Sequence, residues 1–556
     1  MTMTRNMHEE IKILIQNALK NMDITANDIH IEHPTDFSHG DYSTNIAMRH
    51  ASQAKKSPKE LAEELVGELQ KKKGDDIDRI EIAGPGFINF YLSKSFFAKN
   101  IEDILKEKGS YGKDEILEGK KTIVEYTDPN PFKEFHIGHL MSNSIGEAIS
   151  RIVEFSGAEV KRANWQGDVG LHVAKTIWGK IKNPKMSWGD AYAYGSQQYE
   201  ENKKEINEIN KKIYEKSDSK INLLYEEGKK ESLAEFEKIY KQLGTKFDFY
   251  FFESEGGPIG LEIIKKHKKI FEESDGAVVF HGEKFNKTLH TRVFITKEGL
   301  PTYEAKELGL AQMKYKKYPH DISIVITGNE VKDYFRVVHK AMEQTFPEIA
   351  EKTKHIPHGM LRLPSGKMSS RTGDVISVED LLNDVRERVL EKMKDSDLLE
   401  KEKIAEQVVV GAVKYSILKQ ATGNDIVFDF EKSLSFEGDS GPYLQYTYAR
   451  THSIIEKAHE NDIVSSTELV TESTTEIEKL LYQFPEIVLR ARVEYEPHYV
   501  TTYLTQLASA FNNFYAHTRI IDSGNSAPHS VAITEATSIV LKNGLGLLGI
   551  EAPEKM

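Results

Sequence analysis

The stretch that most constrains this chain runs from Lys121 to Asn164. Lys121–Tyr126 carries a β-branched run, Thr122-Ile123-Val124, and a loop with two prolines follows. A helical pattern then spans about His139 to Phe155, and a second strand pattern occupies Glu159–Asn164. Two strands joined through a helix predict a parallel sheet. Such a sheet takes its ligand at the strand-to-helix loop, where free backbone N–H groups at the helix N-terminus suit a phosphate.

Around this unit the 556 residues suggest three or four domains, at roughly 150 residues each. Residues 1 to about 115 read as a small α+β unit. It has a helix over 8–22, a capping box at Ser57-Pro58-Lys59-Glu60, and strands at Ile80–Ile82 and Phe87–Leu92 around Gly84-Pro85-Gly86. Tyr111-Gly112-Lys113 and the charged residues up to Lys121 read as a linker. Residues 183–245 are polar and helical, with Ile206, Ile209 and Ile213 at helical spacing, and read as an insertion in the sheet domain. From Val378 onward the pattern is almost all helix.

Composition excludes several chemistries. With no cysteine there are no disulfides, thiolate zinc sites, iron–sulfur clusters or thiol nucleophiles. No apolar run of about 18 residues occurs, and the opening residues lack the apolar stretch of a secretory signal. The expectation is a cytoplasmic protein that does not span a membrane. Lys and Arg total 74 against 87 Asp and Glu, a formal charge of −13. That balance disfavours nucleic acid as a default partner, since phosphates attract Lys and Arg.

Two short motifs argue against that default. Pro131-Phe132-Lys133-Glu134-Phe135-His136-Ile137-Gly138-His139 lies between strand and helix. Its imidazoles can donate to phosphate oxygens, and Gly138 lets a flat base or ribose approach the backbone. Gly366-Lys367-Met368-Ser369-Ser370-Arg371-Thr372-Gly373 is small, polar and cationic, as suits a loop that closes over a polyphosphate. Taken singly, each motif reads first as a surface loop. A third segment, Pro301–Glu307, would put Tyr303 and Glu307 on one helical face at i, i+4. A ring and a carboxylate in one pocket suit a planar cation, although a core tyrosine and a surface charge fit the same spacing.

In order and together, the first two motifs resemble the HIGH and KMSKS signatures of class I aminoacyl-tRNA synthetases. The wider pattern resembles the arginyl-tRNA synthetase family. It includes Glu125-Tyr-Thr-Asp-Pro-Asn-Pro ahead of the histidines, Arg162-Ala-Asn-x-x-Gly-Asp-x-Gly170, Asp429 to Tyr446, and the ending Leu548–Met556. The resemblance implies an α/β fold: a Rossmann-type parallel-sheet catalytic domain, an N-terminal α+β domain and a C-terminal all-α anticodon-binding domain. The implied boundaries are 1–115 for a domain binding the tRNA elbow at the D-loop and 116–377 for the catalytic domain, with a helical insertion at about 183–300. A helical stem-contact and connecting region would occupy 378–440, and the anticodon-binding domain 441–556.

The same resemblance implies ligands and roles. ATP, with Mg²⁺ accompanying it, would activate L-arginine, and tRNA-Arg would accept it, with tRNA needed for the activation step. His136, Gly138, His139, Lys367, Met368 and Ser369 would contact ATP. Glu125 and Glu307 would bind the guanidinium, Tyr303 would pack beside it, and Asn130 and the backbone near Asp128 would hold the α-amino group. Asn329, after the strand at 322–327, would contact substrate or ribose. Two departures stand out: the family usually has aspartate at the place of Glu307, and lysine at the place of Ser370. Lys133, with Lys367 and Arg371, is expected to supply the missing positive charge. Candidate tRNA contacts are Asn89 and Tyr91 at one end of the chain, and Tyr446, Arg450, Asn512, Arg519 and Met556 at the other. A monomer is the family expectation.

Overall fold

The computed structural model describes residues 7–26, 28–363, 377–394, 396, 398–468 and 474–556. Thirteen strands follow one another along them. β1 (Tyr42–Thr44), β2 (Ile77–Ala83) and β3 (Phe87–Leu92) form an antiparallel sheet of order β1-β3-β2. The helix Met7–Asn21 packs on it through Met7, Ile11, Ile15, Ala18 and Leu19, a stripe at three- and four-residue spacing. The capping box forms as the sequence predicts. Glu60 N–H donates to Ser57 Oγ at 3.3 Å, and Ser57 N–H donates to the Glu60 carboxylate at 2.9 Å.

The expected linker after this unit is a packed joint. Tyr111 is fully buried, and its hydroxyl donates to Asn100 Oδ1 (2.9 Å) and to the Leu481 carbonyl (3.2 Å). Gly112 has φ +90°, and a Cβ there would meet the Phe484 ring at 2.6 Å. A short polar sequence reads as a loop, but one aromatic within it finds the C-terminal helices.

The central sheet consists of β4 (Lys121–Glu125), β5 (Glu159–Gln166), β6 (Phe249–Phe252), β10 (Ile322–Gly328) and β11 (Thr353–His358). All its pairings are parallel, in the order β11-β10-β4-β5-β6. The chain winds outward from β4 in one direction through β5 and β6, and in the other through β10 and β11. Ligands bind at such a reversal, beyond the carboxyl ends of the strands. Val124, Tyr126, Ile324 and Ile326 face the helix Ile137–Phe155, while Ile123, Ala163 and Trp165 pack with Leu310 of the helix Tyr303–Lys317.

The insertion expected to be helical to about residue 300 is helical to Gln242 and beyond it mixes strands with the helix Glu253–Lys266. Three helices, Trp188–Gln197, Tyr199–Glu215 and Ser219–Gln242, bury Ile206, Ile209 and Ile213 against Val173, Ile177 and Trp178. Then β6 returns to the central sheet, because Phe249–Phe252 pairs with Ala163–Gln166. β7 (Phe271–Ser274), β8 (Ala277–His281) and β9 (Thr291–Ile295) form a separate antiparallel sheet around Phe271, Phe280 and Phe294. After Val378 the described residues are helical apart from short connections and Ile426–Val427 (β13), which pairs with Leu361–Arg362 (β12). No helix among them is long and apolar enough to cross a membrane.

Candidate active site

The reversal point is built by the segment leaving β4. Thr127, Asp128 and Phe132 all have positive φ, at +80°, +48° and +70°. For a β-branched or bulky residue this conformation costs free energy and needs outside support. The support is specific. Thr127 N–H donates to Ser142 Oγ (2.9 Å), and Asn143 Nδ2 donates to Thr127 Oγ1 (3.0 Å). Trp165 N–H donates to Asp128 Oδ1 (2.8 Å), and Phe132 N–H donates to Ser232 Oγ (3.0 Å). Asn130 lies so close to Gly167 that a Cβ there would sit 2.2 Å from its Oδ1. The strained segment is therefore locked from the histidine helix, from β5 and from the inserted helices together.

The histidines form the first turn of the helix Ile137–Phe155. His136 is the N-cap, and its Nδ1 accepts from Gly138 N–H at 3.1 Å. His139 Nδ1 accepts from His136 N–H at 3.2 Å, and the two rings stack with centroids 3.6 Å apart. Burial, then the neighbouring Lys133 charge, lowers the His136 pKa; burial, then His136 and Lys133, holds His139 far lower. Both are neutral at pH 7. With both Nδ1 atoms accepting, each ring carries its proton on Nε2, leaving two aligned donors. Lys133, half-buried, lies with Nζ 5.4 Å from the Tyr192 ring centroid.

An acidic cluster forms at the same strand end. Glu125 ends β4, Asp128 follows it, and Glu307 comes from the helix Tyr303–Lys317. Burial, then Glu125, pushes the Glu307 carboxyl up to about 8; the same causes in the same order push Asp128 well above the carboxylate range. Carboxylates kept this short of countercharge invite a cation. Tyr303 stands 62% exposed at the mouth, with Lys306 Nζ 5.1 Å from its ring centroid, one helical turn above Glu307.

Several site residues escaped the sequence reading. Lys314 is buried and donates to Glu125 Oε2 at 2.6 Å. Glu253 pairs with Lys306, both buried. Asp168 is fully buried and accepts from Ser254 N–H (2.9 Å), Ser254 Oγ (2.7 Å), Tyr225 (2.7 Å) and Lys229 (2.8 Å), tethering the inserted helix Ser219–Gln242 to the turn after β5. Lys314 left one signal: it lies seven residues from Glu307, two turns along the same helical face.

Other expected residues are placed differently. The Asn329 amide donates to the Gly423 carbonyl at 3.1 Å; the contact it makes is a tether from β10 to the loop before β13. Lys367, Met368, Ser369 and Arg371 lie outside the described residues. Ser377, which follows that segment, bridges to His136, and Val378 N–H donates to the Phe135 carbonyl (2.9 Å).

Among the tRNA candidates, Asn89 is corrected. It is buried on β3, and its amide oxygen accepts from Ser43 Oγ at 2.7 Å, so it has no face for a base. Tyr91 is half-exposed, with Arg79 stacked 3.7 Å from its ring centroid. Arg450 lies between the exposed rings of Tyr446 and Tyr515, 4.9 Å from each centroid, and donates to Asn512. Asn512 donates in turn to Tyr443 (3.0 Å) and Thr447 (2.9 Å), so its amide orients Arg450. Arg519 is exposed, and Met556 packs partly against the main core.

Comparison with known proteins matches this arrangement along the whole chain. Residues 9–92 match the arginyl tRNA synthetase N terminal domain, 100–430 the catalytic domain described as tRNA synthetases class I (R), and 444–556 the DALR anticodon binding domain. The arginine–tRNA ligase of Clostridium perfringens is 32% identical over 574 residues, covering 98% of this chain and 99% of that one. That of Clostridium acetobutylicum is 33% identical, covering 97% and 98%. In fold, the chain is similar to the arginyl-tRNA synthetases of Thermus thermophilus (TM-score 0.78, 24% identity, 99% and 100% covered) and Plasmodium falciparum (TM-score 0.82, 20% identity, both fully covered). A strand-reversal site with two Nε2 donors beside a cation-seeking pocket, carried on a chain matched end to end, belongs to the arginyl-tRNA synthetase family of class I tRNA synthetases.

Proposed function

We infer that this chain is an arginine–tRNA ligase, which activates arginine with ATP and passes it to the 3′ terminal adenosine of tRNA-Arg. The observation that carries the reading is the acidic pocket. Asp128 and Glu307 are desolvated beside Glu125 and gain most from a ligand with two positive groups.

Each site residue then has a role. Glu125 and Glu307 receive the guanidinium, with Tyr303 closing the mouth, while Asp128 and Asn130 hold the α-ammonium. The substrate carboxylate is thereby aimed at the α-phosphate of ATP, and its attack expels pyrophosphate and forms arginyl-adenylate. His136 and His139 donate their Nε2 protons to phosphate oxygens, and Gly138 leaves room for the nucleoside. Lys133, Lys367 and Arg371 neutralise the charge that develops on the leaving group. Transfer to tRNA needs the same positioning rather than a new nucleophile on the protein.

Mg²⁺ would travel with ATP. Among the described residues no three His, Asp or Glu side chains gather to hold a metal of the chain's own. The tRNA would lay its anticodon bases on Tyr446 and Arg450 and its elbow near Tyr91, with Arg519 and Met556 as further contacts. The reaction is expected in the cytoplasm, from a monomer, with activation requiring tRNA.

Arginine-dependent ATP–pyrophosphate exchange, run with and without tRNA and across a panel of amino acids, tests this reading. Exchange specific to arginine is expected only when tRNA is present. Absence of exchange under both conditions overturns the enzyme reading; exchange without tRNA overturns the tRNA requirement alone.

A further inference from the structure

The acidic pocket contains its own cation. Lys314 Nζ donates to Glu125 Oε2 at 2.6 Å, with both side chains almost fully buried. The lysine rises from the helix that carries Glu307, and its charge also acts on Asp128 and Glu307. Once all three carboxylates are ionised, one ammonium leaves two negative charges, which the guanidinium and the α-ammonium of arginine match, its own carboxylate being left for the nucleotide side.

We propose that Lys314 is a positioning residue for the amino acid: by holding one oxygen of Glu125, it fixes the carboxylate plane and leaves the other oxygen and Glu307 as a matched pair of acceptors for the guanidinium. This rests on the arginine-charging reading of the same pocket. The geometry gives a compact ammonium no equal place, because Lys314 already occupies that position on Glu125. A planar fork of N–H groups can instead bridge the two remaining acceptors.

The charges facing this pair are few. Asp128 follows β4, Glu307 lies on the same helix, and Glu253, on the helix Glu253–Lys266, is answered by Lys306. Tyr334, on the helix Lys332–Thr345, is pushed far up by burial and then by Glu307, so it stays neutral. His320, behind Lys314, is lowered to about 4 by burial and then by that lysine; it too stays neutral, with Nδ1 2.8 Å from the Tyr318 carbonyl. Lys314 is thus the charge that opposes the upward shift of Asp128 and Glu307. Its loss pushes those two carboxyls up further, and arginine binding then needs a higher pH.

The test is tRNA charging by the full-length protein, with arginine KM and kcat followed from about pH 6 to about pH 9, and with melting recorded for every variant. Lys314→Met is expected to raise the arginine KM about tenfold or more and to move the acid limb of kcat/KM up by about one pH unit. The kcat at saturating arginine should change far less. Lys314→Arg keeps the charge and spreads it; it is expected to retain the wild-type limb while KM rises, and it serves alone if the methionine variant does not fold. A limb that shifts with arginine at 314, or KM and limb both unmoved in the soluble variants, overturns the proposal. If the wild type itself fails to charge arginine, the functional reading has failed instead.

Discussion

Two carboxylate clusters lie on opposite faces of β4, and they are electrostatic opposites. On the face toward the histidine helix, Tyr126 donates to Glu147 Oε2 (2.6 Å). Arg162 reaches the same oxygen (3.1 Å), and Arg151 reaches Oε1 (2.7 Å). Burial alone would raise Glu147, but Arg162 and Arg151 bring its pKa below the ordinary value. On the other face, Glu125, Asp128 and Glu307 share Lys314, and two of the three are pushed up. Alternation along one strand separates the two by a single residue, Glu125 from Tyr126. One cluster is complete within the fold; the other is short of countercharge, as the proposed arginine site requires. Buried charge therefore marks a ligand site only where its partners fall short.

The sharpest way to break this comparison is to neutralise each side in turn. Glu307→Gln should lower kcat/KM for arginine by a factor of a hundred or more, from about 3 kcal/mol of lost pairing, while its melting temperature holds or rises. The sign follows from the raised pKa. Glu307 adds no penalty below the ordinary glutamate range, and its penalty grows as pH climbs toward about 8, so the amide removes a cost at neutral pH. Glu147→Gln should do the reverse. It should lose about 3 kcal/mol of stability by urea unfolding and leave the arginine KM near wild type. Glu147 has a lowered pKa, so its contribution is present above the ordinary range and fades as pH falls through the folded value. Equal effects of the two substitutions on KM would erase the distinction.

Calorimetry sharpens the same point without mutation. Arginine binding near pH 7 should release up to about one proton, because Glu307 must ionise to pair; no dependence of heat on buffer ionisation would contradict this.

Smaller effects are expected at the two ends of the chain. Tyr446→Ala should raise the tRNA KM about tenfold, from the loss of one stacking surface, while arginine KM stays put. Asn89→Ala should cost about 1 kcal/mol of stability through its buried bond to Ser43, with no change in the tRNA KM.

The uneven legibility of the site has a physical basis. The placement of His136, Gly138 and His139 at a helix start was readable because neighbouring residues encode the strand-to-helix junction. The helical placement of Glu307 one turn from Tyr303 was readable from their spacing. Lys314 carries no motif, and its partner is 189 residues away along the chain. Asn89 misled because an amide beside aromatic residues on a strand suits both a base contact and a buried bond, and only the face it takes decides between them. β6 was missed because four residues, Phe249–Phe252, sit in a largely helical, polar surrounding, and their pairing with β5 is not local.

By itself the sequence determined the local rules: a crossover that demands parallel strands, a capping box, a donor turn at a helix start, and a family pattern from end to end. The net charge of −13 disfavoured tRNA, yet it described no site at all. Only the tertiary structure decided the charge state of the pocket. Desolvation and countercharge depend on distances among residues 125, 128, 307 and 314, and those distances exist only once β4 and the helix Tyr303–Lys317 have packed together.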